Sequence, residues 1–272
     1  MIVKPRIKGF VCITSHPTGC MASVKHQADI AKANPSHGVK APKRVLIIGS
    51  STGYGLSSRV VSAFSSGADT LGVYFERPPK EEKPASAGFY NSLAFNKLTE
   101  ALDSKHLDVN GDAFSVECKL KVVEMAKQFD GPFDLVIYSL ASPRRVDPNT
   151  GETYRACLKP IGSVYKNKTL DTDKGEVKQI SIDPANEDEI ANTTKVMGGD
   201  DWKLWSDLLL KENLLADGCM NIAYSYIGPE VTQPIYRNGT IGRAKEDLER
   251  TANQISEKMK EMCSGRAYVS VN

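Results

Sequence analysis

The sequence predicts an α/β protein built on a doubly wound parallel sheet, and three observations carry that prediction. Short, continuous apolar runs recur along the chain; amphipathic helical patterns lie between them; and a glycine-rich turn follows the first core run at once. Apolar runs without alternation are what strands buried on both faces require. Their regular exchange with helices argues for parallel strands joined by crossovers.

The elements follow in order. RVLIIG, residues 44–49, is the first core strand, and TLGVYFE, 70–76, is the second. HLDVNGDAF, 106–114, is counted as the third, FDLVIYSLAS from Phe133 as the fourth, and MNIAYSYIG from Met220 as the fifth. AYVSV, next to the end, is the sixth. After Thr240 the apolar residues Ile241, Ala244, Leu248, Ala252, Ile255, Met259 and Met262 step by three or four, which predicts an amphipathic helix with Thr240 as its N-cap. Residues 1–42 read as an N-terminal arm with a helix near 20–33, set off by the polar stretch NPSHGVKAPK from a main domain over 43–272. Residues 143–185, rich in turn formers, read as an insertion after the fourth strand, with a small hairpin over the site.

Composition excludes several function classes. A net charge of +2 on 272 residues gives no electrostatic case for nucleic acid or a membrane surface. No apolar run is long enough to span a bilayer, and the charged, proline-broken start is not a secretory signal. Six scattered cysteines in a chain of this size read as free thiols of a reducing cytosol, so the expected location is cytoplasmic. Cys12, His16 and Cys20 contain no CxxC pair, and the spacing argues against a metal site; none is expected.

The glycine turn is the first functional feature. Gly49, Ser50, Ser51, Thr52, Gly53 and Tyr54, closed by Gly55, lie between a strand and a helix. Backbone without Cβ there lets amide N–H groups and a helix N-terminus approach a pyrophosphate. The G-x-x-x-G-x-G order is that of the short-chain dehydrogenase/reductase superfamily, which makes the predicted sheet Rossmann-type; the bland alternative is a tight turn without ligand. Glu76 ends the second strand, 21 residues after Gly55, where a carboxylate can accept from both adenosine ribose hydroxyls and repel a 2′-phosphate. Its neighbour Arg77 supports the opposite preference. Asp112 and Ala113, and Leu140 and Ala141, sit at the carboxyl ends of the third and fourth strands, which face the ligand crevice in open sheets of this class.

The proton-handling pair is harder to place. No tyrosine has a lysine four residues later. Tyr90 and Lys97 are seven apart but follow the second strand, under the adenosine half. Tyr236 and Lys245, in IYRNGTIGRAK, follow the fifth strand with eight residues between them. A lysine near a helix N-terminus is mildly unfavourable, so helix stability does not explain it; the alternative is a solvated lysine paired with Glu249. Tyr224 and Tyr226 share a face, and Tyr226 is nearer the crevice.

MIVKPRIKGF, HPTGC, GSSTGYG, YSLASP, KVMGGDDW and above all AYSYIGPEVTQPIYRNGTIGRAKEDL resemble the trans-2-enoyl-CoA reductases, the FabV-type enoyl-acyl carrier protein reductases, over essentially the whole chain. The resemblance implies NADH-dependent reduction of the 2,3-double bond of an enoyl-CoA or enoyl-acyl carrier protein in fatty acid biosynthesis. It implies that Gly49 to Tyr54 cradle the diphosphate and that Phe75 and Glu76 meet the adenosine ribose. It further implies that Asp112, Ala113, Leu140, Ala141 and Lys245 contact the cofactor, that Tyr226 binds substrate and that Tyr236 donates the proton. The spacing of eight is that family's own. A monomer is expected. Members continue past AYVSVN into a cofactor-contacting stretch and a helical cap, so a C-terminally truncated relative is expected, with an uncovered sheet edge, poor solubility and NADH binding without turnover. The other classes are a nicotinamide-binding regulator and a carbonyl reductase of the short-chain type.

Overall fold

The computed structural model describes residues 4–8, 11–36, 40–81 and 83–272; of Lys8, Val11 and Cys12 it describes the backbone alone. The chain opens on a short antiparallel pair, β1 (Ile7–Lys8) and β2 (Val11–Cys12). Helix α1 (Pro17–Ala33) follows, three residues earlier than the apolar pattern predicts. The reason is local: Pro17 suits the first helical position, and the His16 Nδ1 accepts from the N–H of Gly19 as a cap.

The central elements then alternate as predicted: β3 (Arg44–Ile48), α2 (Gly53–Phe64), β4 (Asp69–Tyr74), α3 (Ala87–Thr99), β5 (His106–Asn110), α4 (Val116–Ala126) and β6 (Phe133–Tyr138). Two antiparallel hairpins come next, β7 (Arg144–Val146) with β8 (Thr153–Arg155), and β9 (Tyr165–Asp171) with β10 (Glu176–Ile182). Helices α5 (Glu187–Met197) and α6 (Asp200–Lys211), strand β11 (Leu215–Ser225), α7 (Thr240–Cys263) and β12 (Arg266–Val271) complete the chain.

Six strands form one parallel sheet in the order β12-β11-β6-β3-β4-β5. The strand order reverses between β3 and β6, and at such a switch point loops diverge and leave a crevice beyond the carboxyl ends. Strands β4 and β5 end at Tyr74 and Asn110, short of the predicted 76 and 114. The pairing is released there because the side chain of Asn110 takes over, accepting from the Glu76 N–H and donating to the Glu76 carbonyl.

Both faces are packed. Leu46, Ile48, Leu71 and Val136 meet Val122 of α4, Trp202 and Leu209 of α6, and Leu248 and Ile255 of α7. On the opposite face Val45 and Ile47 are buried, and Leu56 and Val60 of α2 join Phe95 of α3 and Val24 and Ala28 of α1. Each such fully buried side chain contributes about 1.5–3 kcal/mol.

Two details of α7 differ from expectation. Its N-cap is Gly239, not Thr240. The Thr240 hydroxyl instead donates to the Cys157 carbonyl and accepts from the Lys159 N–H, tying the helix to the inserted segment. The buried stripe also stops at Met259, and Met262 is exposed, because Ser264 turns left-handed (φ 51°) and sends the chain back into β12. The five described cysteines, at 20, 118, 157, 219 and 263, are free thiols. No helix among the described residues is long and apolar enough to cross a membrane. No cluster of metal-ligating side chains occurs among the described residues; of the Cys12, His16 and Cys20 set, the Cys12 side chain lies outside them.

Candidate active site

A cleft of about 470 Å³ lies at the carboxyl ends of β3, β4, β5 and β6, in the size range of small-molecule sites. Of the residues predicted to hold a cofactor, Gly49, Ser51, Thr52, Gly53, Tyr54, Phe75, Glu76, Asp112, Ala113, Leu140 and Ala141 line it. They converge from four loops although they span 93 positions of sequence.

The glycine turn works by close approach. Gly49 has φ 95°, and a Cβ there would lie 2.0 Å from the Ser139 carbonyl oxygen beyond β6. A Cβ on Gly55 would lie 1.9 Å from the Gly49 carbonyl oxygen. These two positions let the loop fold flat across the sheet end, against the neighbouring strand. The N–H groups of Gly49 and Ser50 both donate to the Val73 carbonyl, while those of Ser51 and Thr52 have no partner among the described residues. Thr52 gives α2 no side-chain cap, and the first turn holds no acid. Unspent amide donors and the positive end of a helix dipole therefore open together on the cleft, an arrangement suited to phosphate.

Ser50 is the exception among the predicted loop residues. Its side chain is buried beneath the loop, with Oγ donating to the Val73 carbonyl, so it supports the turn from below.

Glu76 is held rather than free. The Ser51 hydroxyl donates to its Oε1 at 2.7 Å. The carboxylate lies over the first turn of α3, where a Cβ on Gly88 would be 2.0 Å from Oε1. Arg77 does not line the cleft, and its N–H donates to Ser86. Phe75 is 75% exposed, a bare aromatic face beside the carboxylate. The Asp112 Oδ1 accepts from the Phe114 N–H, which leaves its second oxygen for a ligand.

A second, smaller cleft of about 100 Å³ opens at the end of β11, lined by Tyr226, Ile227, Tyr236, Arg237, Gly242, Lys245, Glu246 and Glu249. Tyr226, Tyr236 and Lys245 are thus brought together in one cleft. The rings of Tyr226 and Tyr236 meet edge to face, with centroids 5.4 Å apart. Burial, and secondarily the Tyr226 phenol, push the Tyr236 hydroxyl above its ordinary value. Burial alone pulls the Lys245 ammonium down. Glu249 shares this cleft, yet among the described residues Lys245 forms no ion pair with it or with any other acid. Tyr224 turns to the other helix, its hydroxyl 2.6 Å from Ser58 Oγ and its ring against Tyr54, a residue of the first cleft.

Sequence reasoning missed Tyr74, Gly111, Phe114, Ser139, Ser142 and Arg144 in the first cleft. Ser139 and Ser142 flank the named pair Leu140 and Ala141 and were accessible by adjacency. Arg144, the one basic residue among the described residues lining the cleft, carried no signal beyond its place in the inserted segment.

Fold and cleft together define a dinucleotide-binding α/β protein with a tyrosine–lysine pair beside the cofactor crevice. Residues 2–81 match the family model described as the NAD(P)H binding domain of trans-2-enoyl-CoA reductase, and residues 83–272 match its catalytic region. The chain belongs to the trans-2-enoyl-CoA reductase family. The boundary between the two models falls between the adjacent parallel strands β4 and β5, inside one sheet. All of this chain aligns with 68% of the enoyl-[acyl-carrier-protein] reductase [NADH] of Flavobacterium johnsoniae at 53% identity. It aligns with 69% of the trans-2-enoyl-CoA reductase [NADH] of Clostridium perfringens at 51%. The crystal structure of Treponema denticola trans-2-enoyl-CoA reductase in complex with NAD superposes with a TM-score of 0.94 at 49% identity, covering all of this chain and 68% of that one.

Proposed function

We propose that the protein reduces the 2,3-double bond of trans-2-enoyl thioesters, carried on coenzyme A or on an acyl carrier protein, at the expense of NADH. The single observation that carries the reading is the convergence of Tyr236, Lys245 and Tyr226 in one cleft, at the same sheet end as the glycine cradle. The cradle fits a dinucleotide on its own evidence. Two Cβ-intolerant glycines, two unspent amides and an uncapped helix end suit the diphosphate; exposed Phe75 offers a surface for a flat ring; and the fixed Glu76 carboxylate suits ribose hydroxyls.

When bound, the cofactor supplies the hydride. The chain's own groups manage the charge this creates. Hydride addition at the β-carbon gathers negative charge on the thioester oxygen. A donor that meets that oxygen stabilises the transition state more than the ground state. Tyr236 is that donor in this reading. Its reference value is already near 10, and burial raises it, so the phenol stays protonated at neutral pH and ready to give a proton. Lys245, half-buried and without an acidic partner among the described residues, keeps its ammonium free for the ribose hydroxyls or the phenol. Tyr226 props the Tyr236 ring from the side and forms one wall for the acyl thioester.

Tyr236→Phe keeps the ring packing and removes the donor. The expected result with crotonyl-CoA is a fall in kcat of roughly a hundredfold or more, with the Kd for NADH unchanged. Near-normal turnover of that variant would remove Tyr236 from the role. NADH oxidation dependent on a 2-enoyl thioester and indifferent to ketones separates this reading from carbonyl reduction and from cofactor binding without turnover.

A further inference from the structure

The ribbon formed by β9 and β10 is paired over seven positions, from Tyr165 with Ile182 to Asp171 with Glu176. Alternation divides it into two unlike faces. On the inner face Tyr165, Asn167, Ile180 and Ile182 are half-buried. Charge there is settled internally: Lys178 Nζ lies 2.5 Å from Asp171 Oδ2 and 4.0 Å from Glu176 Oε2.

The outer face carries Lys166, Lys168, Leu170, Val177, Gln179 and Ser181, all exposed. Leu170 and Val177 are direct cross-strand partners and stand 58% and 68% exposed, an apolar pair in water. Lys166 and Lys168 have no ion pair among the described residues, and no acid shares their face. The two uncompensated cations add nothing to the ribbon itself, and the exposed apolar pair adds only its cross-strand contact. A two-stranded hairpin draws stability from packing, and among the described residues this face packs on nothing.

The root of the ribbon locates it. The Lys159 carbonyl accepts from the Thr240 N–H, Pro160 pairs with Gly239, and the Ala185 N–H donates to the Pro160 carbonyl. Both ends of the ribbon segment are therefore tied to the start of α7, Lys159 and Pro160 directly and Ala185 through Pro160, four residues beyond Tyr236 at Thr240.

We propose that the outer face of the β9–β10 ribbon is the docking surface for an acidic carrier protein that delivers the enoyl thioester. Lys166 and Lys168 meet its carboxylates, and Leu170 and Val177 meet an apolar patch between them. The inference rests on the reductase reading above. Charge complementarity selects an acidic protein, and the apolar pair selects a protein over a small anion. Coenzyme A carries phosphates that the same lysines could meet, so the two sources need separate arms.

The test uses the full chain and its Lys166→Glu/Lys168→Glu and Leu170→Ser/Val177→Ser variants. Binding of a crotonyl-loaded acyl carrier protein is measured by fluorescence anisotropy at two salt concentrations, and kcat/KM is measured with that substrate and with crotonyl-CoA. Each variant is expected to weaken carrier binding roughly tenfold or more, and raised salt to weaken carrier binding by the unmodified protein, with kcat/KM for crotonyl-CoA held within about twofold. Equal losses with both thioesters would assign the lysines to phosphate recognition and overturn the proposal; unchanged carrier binding would overturn it as well. If the unmodified protein turned over neither thioester, the reductase reading would fail alone, and the binding arm would still decide the ribbon.

Discussion

At the scale of the residue, Glu76 shows how a carboxylate is fixed in place. An acid at the end of the second core strand is common; one clamped by a hydroxyl at 2.7 Å, over a glycine that leaves it room, is positioned. Ser51 and Gly88 come from different loops, and together they fix where the negative charge stands. A cofactor carrying a 2′-phosphate would meet that charge at close range, which costs binding through like-charge repulsion. Glu76→Gln keeps the size and removes the charge. The ratio of kcat/KM for NADPH to that for NADH is expected to rise roughly tenfold or more, helped by Arg144, the basic side chain lining the same cleft. Equal use of both cofactors by the unmodified protein would take the discriminating role away from Glu76.

At the scale of the element, a buried ion pair joins the α6 helix to the floor of the cofactor cleft. Lys119 of α4 donates to Asp201 Oδ1 at 2.7 Å and to the carbonyls of Ala113 and Phe114. The Tyr138 hydroxyl donates to Asp201 Oδ2, and the Trp205 indole N–H donates to the Ala113 carbonyl. Ala113 lines the cleft, and Tyr138 directly precedes the Ser139–Ala141 turn, so α6 and α4 hold two cleft walls through one carboxylate. Burial outweighs the mutual attraction on each partner, pulling Lys119 down and pushing Asp201 up. Removing one partner strands the other. Asp201→Leu is expected to cost about 3–5 kcal/mol, read as a lower midpoint in chemical denaturation. The double change Lys119→Met/Asp201→Leu is expected to recover much of that stability while leaving NADH affinity reduced, because the Phe114 carbonyl loses its donor and the Ala113 carbonyl keeps only the Trp205 indole. Full recovery of both would reduce the pair to a stability device.

At the scale of the whole molecule, stability is tied to pH through a histidine inside the sheet edge. His106 of β5 lies between the Thr70 hydroxyl, 2.9 Å from Nδ1, and the Ser104 hydroxyl, 2.9 Å from Nε2. Burial, and then the positive charge of Arg59, hold its pKa down at about 4. The sign follows from proton binding. Between pH 6.5 and about 4 the unfolded chain takes up a proton that the folded protein refuses, so stability falls as pH falls through that window and is unaffected above it. Allowing for partial solvent screening, the loss attributable to His106 is on the order of 2 kcal/mol. Thermal melts of the protein and of His106→Gln at pH 7 and pH 4.5 are expected to show a smaller pH-dependent drop in the variant. Parallel drops would place the pH dependence elsewhere.

The order of strands and helices was determined by the sequence alone, because buried parallel strands and amphipathic helices impose periods that are read within a dozen residues. The glycine turn and the strand-end Glu76 were legible for the same reason, each being a local pattern of residue type and distance along the chain, whereas the pairing of Tyr236 with Lys245 came only from the family resemblance. The insertion was visible as a break in the alternation, but its division into two hairpins was not, since its strands, Arg145 apart, are at most half-buried and set only a weak apolar pattern. Tertiary structure alone decided which side chains meet across long separations. Ser50 turned under its loop to Val73, Thr240 left its cap position for Cys157, and Lys245 stayed apart from Glu249 although helical spacing allowed the pair. It also joined Lys119 to Asp201, 82 positions apart, at the cleft floor. A hydrogen bond or ion pair is settled by packing in three dimensions, where burial removes water as a competitor, and no spacing along the chain encodes that.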